Sequence, residues 1–196
     1  MKLYYSPTSP YVRKVAACAI ACGLHERITR VETNPHVSPP GLVGDNPLSK
    51  VPCLLSQDGL VLFDSPVICE YLDSVGQGGL FPPAGPLRWR ALKLQAVGDG
   101  IMDAAVMRRT EMGRPAEEAR TANMARQAAA VERALDLLQG APPAEHLDIG
   151  TITVACALGY LDLRFAEDRW REGRPALAAW FAAMERRPEI AETGPA

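Results

Sequence analysis

Two serine–proline pairs in the first third of the chain, Ser9-Pro10 and Ser65-Pro66, each follow a short apolar strand pattern and precede a helical one. A serine at the N-cap with proline at the first helical position marks the start of a helix. The free N–H groups and the positive dipole end of such a start attract anions. A third segment, Lys50-Val51-Pro52, lies between the two pairs in the sequence. The sequence therefore predicts a site that holds a small acidic ligand at more than one point.

The elements that must position these segments form an α/β domain over residues 1–76. Hydrophobic spacing predicts them in this order: strand 2–5, helix 10–22, strand 28–32, strands 52–56 and 60–63, and helix 67–75. Residues 34–49 carry four prolines and two glycines, which predicts a loop with room for one helical turn. Asp58-Gly59 is a hairpin signal between the last two strands. The order β-α-β followed by β-β-α is a thioredoxin-like arrangement.

A linker rich in glycine and proline follows at residues 77–86, and beyond it the pattern is helical. Apolar residues recur at steps of three and four along successive segments, as expected of neighbouring helices in a bundle. Asp148 is expected to cap a helix that is apolar nearly all round and that forms the centre of this core. The sequence thus predicts a second, all-helical domain over residues 87–196. Its three tryptophans, Trp89, Trp170 and Trp180, are expected to pack inside.

Composition narrows the class of protein. The 196 residues carry a formal net charge of −2, which argues against nucleic-acid binding because no basic excess exists to track phosphates. The longest apolar stretch, residues 152–161, is about half the length that a membrane span needs. The N-terminus lacks the apolar core of a secretory signal, so we expect a soluble cytoplasmic protein. Five cysteines lack the paired spacing of a metal site and are interpreted as reduced, buried thiols: Cys18, Cys22, Cys53, Cys69 and Cys156.

Three motifs carry a resemblance to a known family. They are Ser-Pro-Tyr-Val-Arg at residues 9–13, Asn-Pro-Leu-Ser-Lys-Val-Pro at 46–52, and Phe-Asp-Ser-Pro-Val-Ile at 63–68. In this order and spacing they resemble the glutathione S-transferase superfamily, and most of all its bacterial serine-type cytosolic members. The resemblance extends over the whole chain and is strongest over residues 1–75. It implies reduced glutathione as co-substrate, no metal, and a homodimer.

The resemblance implies that Ser9 activates the thiol of glutathione. A hydroxyl that donates a hydrogen bond to the sulfur, together with the helix dipole, would favour the thiolate over the thiol. Thr8, one residue away, is a rival hydroxyl, and Tyr5 is a weaker one. Ser9 can also be explained as a helix cap alone. No cysteine occupies residues 6–11, which disfavours the disulfide-exchange chemistry of other subclasses.

The same resemblance assigns the rest of the glutathione site. Val51-Pro52 matches the family's cis-proline turn, whose exposed N–H and C=O groups would pair with the cysteinyl backbone of glutathione. Lys50 would meet the glycyl carboxylate, or else is a solvated loop lysine. Ser65 and the first N–H groups of its helix would bind the γ-glutamyl carboxylate, and Asp64 would attract the neighbouring ammonium.

The site for the electrophile is much less defined by the sequence. In the resembled superfamily it is lined by the first loop and the first helices of the bundle, which makes Tyr11, Met102, Val106 and Arg109 candidates by placement. Met102 and Val106 are equally explained as bundle core. The pair Arg108-Arg109 could attract an acidic substrate or face water.

Two functions remain open at this point. One is a glutathione transferase that adds the glutathione thiol to a small electrophile. The sequence does not specify which electrophile. The other is a non-catalytic glutathione-binding, ligand-binding or regulatory protein on the same scaffold, because a fold does not fix a function. The chain keeps both serines and the Lys-Val-Pro segment, which favours glutathione binding.

Overall fold

The structure, a computed structural model, describes residues 1–194 and divides into two compact units. The first comprises residues 1–88 together with the segment from residue 188 onward, and the second comprises residues 89–187. The described residues form four strands and eight α-helices. None of these helices is long and apolar enough to cross a membrane.

The first unit is built on a four-stranded sheet in the order β2-β1-β3-β4. Strand β1 runs parallel to β2 and antiparallel to β3, and β3 runs antiparallel to β4. Its elements are β1 (Lys2–Tyr5), α1 (Pro10–Ala21), β2 (Thr29–Glu32), α2 (Pro40–Asp45), β3 (Cys53–Leu55), β4 (Val61–Leu62) and α3 (Ser65–Gly76), with α8 (Pro188–Ala191) packed on α1. The predicted thioredoxin-like domain is confirmed.

The core of the first unit lies between the sheet and helices α1 and α3. Leu3, Val15, Leu54, Ile68 and Leu72 are each at most 1% exposed. Because alternate strand residues and one helix face supply these side chains, the register of the sheet is fixed by burial. The two helices therefore have a fixed position relative to the strands that precede them.

Residues 34–49 contain more helix than the sequence predicts. A short 3₁₀ turn covers Pro35–Val37, and Pro40–Asp45 form helix α2. Proline at the first position of α2 has a backbone angle suited to a helix start. The sequence pattern predicts mainly a loop here because the stretch contains four prolines.

The second unit contains most of α4 (Pro86–Met112), together with α5 (Glu118–Gly140), α6 (Ile149–Arg164) and α7 (Pro175–Met184). Every residue from 149 to 161 in α6 is buried, which confirms its prediction as the central helix. Asp148 caps it, with the Asp148 Oδ1 accepting from Thr151 N at 2.8 Å and Thr151 Oγ1 accepting from Asp148 N at 2.9 Å. The predicted all-helical domain is confirmed.

Two expectations about side-chain burial have different outcomes. The five cysteines form no disulfide and are all buried, as predicted. Trp170 and Trp180 are buried, but Trp89 is 69% exposed, so its prediction as a core residue is wrong. Trp89 precedes the buried Ala91 by two positions, so it lies on nearly the opposite side of α4 from the buried face.

Candidate functional site

The sheet register brings the three segments that carry the motifs to one edge. Tyr4 of β1 pairs with Cys53 of β3, and Leu54 of β3 pairs with Leu62 of β4. Both pairings are antiparallel, so the start of β3 lies beside the end of β1 and the end of β4. Residues 6–9, 50–52 and 63–65, which adjoin these strand ends, therefore lie at the same edge of the sheet.

Ser9 sits at this edge as the N-cap of α1. Its backbone is extended, and its Oγ accepts a hydrogen bond from Val12 N at 3.3 Å. A hydroxyl oxygen that accepts a bond can still donate its own proton. Ser9 is half-buried, Tyr5 is half-buried at the end of β1, and Thr8 is exposed. The geometry is compatible with a helix cap that also serves a ligand.

Helix α3 begins at the same edge with Ser65, which is 2% exposed. The N-cap is Asp64, so the prediction of Ser65 as the N-cap is wrong by one residue, and Ser65 is the first residue of the helix. Among the described residues, the exposed Asp64 side chain accepts no hydrogen bond from the first turn. The peptide bond between Phe63 and Asp64 is cis. The first N–H groups of a helix lack partners inside it, so this helix start can bind an anion.

The segment before β3 is held by a buried asparagine that the sequence analysis did not single out. Asn46 is 1% exposed; its Nδ2 donates to the carbonyl of Lys50 at 2.9 Å, and its Oδ1 accepts from Leu48 N at 3.0 Å. The Val51–Pro52 bond is cis, as the resemblance implies. The sequence signal for this role was an asparagine directly before a proline. The side chain of an asparagine in a turn commonly forms a hydrogen bond with the backbone two residues further along the chain.

A hydrogen-bonded cluster fixes helix α2, which leads into this segment. The Tyr4 hydroxyl, on β1, lies 2.8 Å from the Asp45 Oδ2 and 3.2 Å from the carbonyl of Gly41, and it accepts from Lys2 Nζ at 2.8 Å. Because Asp45 is the last residue of α2, the cluster ties the end of the helix to the sheet immediately before Asn46. No sequence pattern links residues this far apart.

Two of the exposed charges at this edge, Lys50 and Asp64, have opposite signs. Lys50 follows the Asn46 turn, and Asp64 precedes α3. Together with two helix starts, they provide groups for two carboxylates and one ammonium. A ligand with separated acidic ends and one amino group would satisfy all of them.

Two of the buried thiols, Cys22 and Cys53, are unsuited to nucleophilic chemistry. Burial, aided by Asp73 and then Cys69, raises the pKa of the Cys22 thiol to about 12. Burial and Asp45 raise the pKa of the Cys53 thiol to about 11. Since the thiolate is the reactive form, these two groups are inert near neutral pH.

The four residues proposed for the electrophile differ in burial. Tyr11 is half-buried on α1 of the first unit. On α4, Met102 is completely buried, Val106 is half-buried and Arg109 is exposed. The spacing of the last three residues, four and then three, places them along one side of that helix.

Comparison with known proteins adds an independent result. A sequence model described as "Glutathione S-transferase, N-terminal domain" matches residues 8–75, and one described as "Glutathione S-transferase, C-terminal domain" matches residues 121–183. The chain is 34% identical, over its full length, to the Escherichia coli K12 protein named "Uncharacterized GST-like protein YibF", of which the alignment covers 98%.

Solved structures agree with these matches. A glutathione transferase family member from Pseudomonas fluorescens Pf-5, with bound glutathione, is 41% identical with a TM-score of 0.93, covering 100% of this chain and 98% of that one. A structure from the same strain with bound S-(propanoic acid)-glutathione is 40% identical with a TM-score of 0.89, covering 100% of both chains. The chain belongs to the glutathione S-transferase family.

Proposed function

We propose that the protein is a serine-type glutathione transferase: it binds reduced glutathione at the sheet edge defined above and uses Ser9 to activate the thiol. The observation that carries the proposal is that the starts of α1 and α3 and the cis Val51–Pro52 turn meet at one edge. The glutathione bound to a relative 41% identical to this chain supports the choice of ligand.

Each end of glutathione has a counterpart at this edge. The γ-glutamyl carboxylate binds the Ser65 hydroxyl and the first N–H groups of α3, and Asp64 pairs with the adjacent ammonium. The cysteinyl backbone pairs with the N–H and C=O of Val51 in the manner of an added strand. Lys50 binds the glycyl carboxylate. The thiol then lies toward the start of α1, where Ser9 is.

The free energy needed to lower the pKa of the glutathione thiol is of the size that a hydrogen bond from one residue can supply. A free cysteine thiol has a pKa of about 8.5, and lowering it by two units takes roughly 2.7 kcal/mol. A hydrogen bond to a charged group contributes about 1.5–3 kcal/mol. The Ser9 hydroxyl, which accepts from Val12 N and keeps its proton to donate, supplies such a bond beside the positive end of the α1 dipole.

The reaction follows from the thiolate. The thiol loses its proton to solvent, and the sulfur lone pair attacks an electrophilic carbon of the second substrate. A carbon–sulfur bond forms while the leaving group departs with its bonding electron pair. The S-(propanoic acid)-glutathione bound to a relative 40% identical to this chain supports a site that accepts glutathione with a substituted sulfur.

The test is titration calorimetry with reduced glutathione, combined with the thiol pKa of the bound ligand from its ultraviolet absorbance. We expect Ser65→Ala to weaken binding and Ser9→Ala to bind glutathione without lowering its pKa. Ser74→Ala, at the other end of α3, is the matched control for Ser65 and should behave as wild type. Thr8→Ala is the matched control for Ser9.

The outcomes separate the two functions that the sequence leaves open. If Thr8→Ala, and not Ser9→Ala, loses the lowered thiol pKa, the assignment of Ser9 is wrong. If wild type binds glutathione with an unchanged thiol pKa, the protein is a non-catalytic ligand-binding member of the family. If no saturable binding is seen at millimolar glutathione, the proposal fails as a whole.

The proposal includes a cytoplasmic homodimer, as the resemblance implies. Five buried cysteines that form no disulfide are consistent with a reducing compartment. Light scattering coupled to size-exclusion chromatography measures the molar mass directly. A mass of one chain would remove the dimer from the proposal and leave the glutathione site unaffected.

A further inference from the structure

Tyr4 occupies the face of the sheet opposite to helices α1 and α3. Because side chains alternate along a strand, Leu3 packs toward those two helices and Tyr4 points the other way. On that face it forms a small buried cluster with Leu42 of α2 and Cys53 of β3, which we call the Tyr4 cluster. The three side chains are at most 6% exposed, so packing holds the tyrosine ring in one place.

The hydroxyl of Tyr4 lies between a cation and an anion. It accepts a hydrogen bond from Lys2 Nζ at 2.8 Å and donates one to Asp45 Oδ2, also at 2.8 Å. Hydrogen bonds with one charged partner are about twice as strong as those between neutral groups. Since Asp45 is the last residue of α2, the hydroxyl holds the end of this short helix on the sheet.

The turn that follows α2 is tied to the end of that helix by its own backbone. Asn46 N donates to the carbonyl of Leu42 at 2.6 Å, and Ser49 N donates to the carbonyl of Asn46 at 2.9 Å. The Asn46 side chain then donates to the carbonyl of Lys50 at 2.9 Å. A displacement of the end of α2 is therefore passed on to Lys50, the residue proposed to bind the glycyl carboxylate.

The ring of Tyr4 supports the rest of the site separately from the hydroxyl. Val51 of the cis-proline turn and Phe63 both pack against the Tyr4 cluster. Phe63 directly precedes Asp64 and Ser65, which are proposed to bind the γ-glutamyl end. A Tyr4→Phe substitution keeps the aromatic ring in this cluster and removes only the hydroxyl. The substitution thus separates the support of one end of the ligand from the support of the other.

We propose that Tyr4 and Asp45 are positioning residues for the glycyl end of glutathione: their hydrogen bond holds Lys50 where it meets the glycyl carboxylate. The inference rests on the proposed glutathione site. Both residues act through Asn46, so their effect concerns the glycyl end and leaves the γ-glutamyl end unchanged. The charge on the glycyl carboxylate is therefore recognised only while this hydrogen bond is intact.

The test compares reduced glutathione with glutathione amide by titration calorimetry. The amide replaces the glycyl carboxylate by a carboxamide of the same shape, so every other contact cancels in the ratio of the two affinities. We expect wild type to bind glutathione about fivefold more tightly than the amide, the factor of one exposed ion pair. In Lys50→Gln and in Tyr4→Phe the ratio should fall toward one. A merely structural role of Tyr4 would lower both affinities alike and leave their ratio unchanged.

Variants of Asp45 distinguish the hydrogen bond from the charge. Asp45→Asn keeps a side-chain oxygen that can accept from the Tyr4 hydroxyl, and it should keep most of the wild-type preference. Asp45→Ala removes the acceptor and should lose the preference as Tyr4→Phe does. Equal losses in the two Asp45 variants would show that the charge of Asp45, and not its hydrogen bond, is responsible, which contradicts the proposal.

A second tyrosine–aspartate pair in the same unit provides the matched control. The Tyr71 hydroxyl donates to Asp58 Oδ1 at 3.2 Å at the surface, and Tyr71→Phe should keep the wild-type ratio. An unchanged ratio in Tyr4→Phe, with the preference lost in Lys50→Gln, would overturn this inference alone. Equal affinities of wild type for the two peptides would remove the assignment of Lys50 and the inference with it. Binding of neither peptide would overturn the proposed function itself.

Discussion

At the scale of single residues, Asn46 shows how a buried amide can shape a binding loop. Both ends of its side chain bond the backbone of the segment that leads to the cis-proline turn. The loop between α2 and β3 therefore depends on one side chain that would itself touch no ligand. Its removal leaves the carbonyl of Lys50 and the N–H group of Leu48 without the partners of two part-buried hydrogen bonds, and the loss of such bonds is costly.

We predict that Asn46→Ala lowers the free energy of unfolding by about 1–3 kcal/mol, because both hydrogen bonds are lost. Glutathione affinity should fall as well, since Lys50 and Val51 lose their support. The matched control is Asn34→Ala, an exposed asparagine whose Oδ1 accepts from His36 N at 3.0 Å, and it should cost less than about 1 kcal/mol. Urea unfolding and titration calorimetry measure the two effects. Equal losses in the two variants would refute the role given to Asn46.

A second prediction at this scale concerns Cys22, whose thiol pKa burial raises to about 12 from 9.0. A group with a raised pKa in the folded state contributes stability in full below its unfolded value, and the contribution is lost as the pH rises through the folded value. The stability difference between wild type and Cys22→Ala should therefore narrow as the pH rises from about 9 toward 12. Urea unfolding at several pH values measures it. A difference that stays constant with pH would mean that Cys22 does not titrate on unfolding.

At the scale of elements, close contacts between helices rest on glycines. A Cβ added to Gly98 of α4 would lie 2.8 Å from both the carbonyl carbon and the Cγ2 of Thr153, and 2.9 Å from Val154 N. Backbone atoms of α6 cannot move aside as a flexible side chain would. The close packing of α4 on α6 therefore requires a glycine at position 98.

Gly98→Ala should accordingly destabilise the protein by about 1–3 kcal/mol, the usual cost of overpacking a core. Gly100→Ala is its control on the same helix, because a Cβ there meets no atom within 4 Å. That variant should raise the free energy of unfolding by about 0.5–1 kcal/mol, since alanine is the better helix former. Thermal and urea unfolding of both variants give the comparison. Stabilisation by both substitutions would show that the two helices pack less closely than described.

The elements also show which parts of the fold could be predicted from the sequence alone. Strand β1, helix α1 and the Asp58-Gly59 hairpin were predictable because each depends on local spacing and turn chemistry. Helix α2 was predicted only as room for one helical turn in a loop, because the contact that fixes it is the Tyr4–Asp45 hydrogen bond between residues separated by 41 positions. Contacts of this kind form only in the folded chain, and no periodic pattern in the sequence predicts them.

At the scale of the whole molecule, glutathione binding at the proposed site must raise the free energy of unfolding of the protein. A ligand that binds only the folded state stabilises it according to its concentration relative to Kd, and at about 100 times Kd the gain is about 2.7 kcal/mol. For a chain of this size, each kcal/mol shifts Tm by about 2–4 °C. Reduced glutathione at that concentration should therefore raise the Tm of wild type by about 5–10 °C.

Two controls make this shift a test of the geometry of the site. The dipeptide cysteinylglycine lacks the γ-glutamyl carboxylate and cannot use the start of α3, so its shift at the same concentration should be much smaller. Ser65→Ala should lose most of the shift with glutathione, whereas Ser74→Ala should keep it. If cysteinylglycine stabilises wild type as well as glutathione does, the α3 start contributes nothing to binding. The anion site at Ser65 would then be only a helix start, and the ligand would be held by the cis-proline turn and α1 alone.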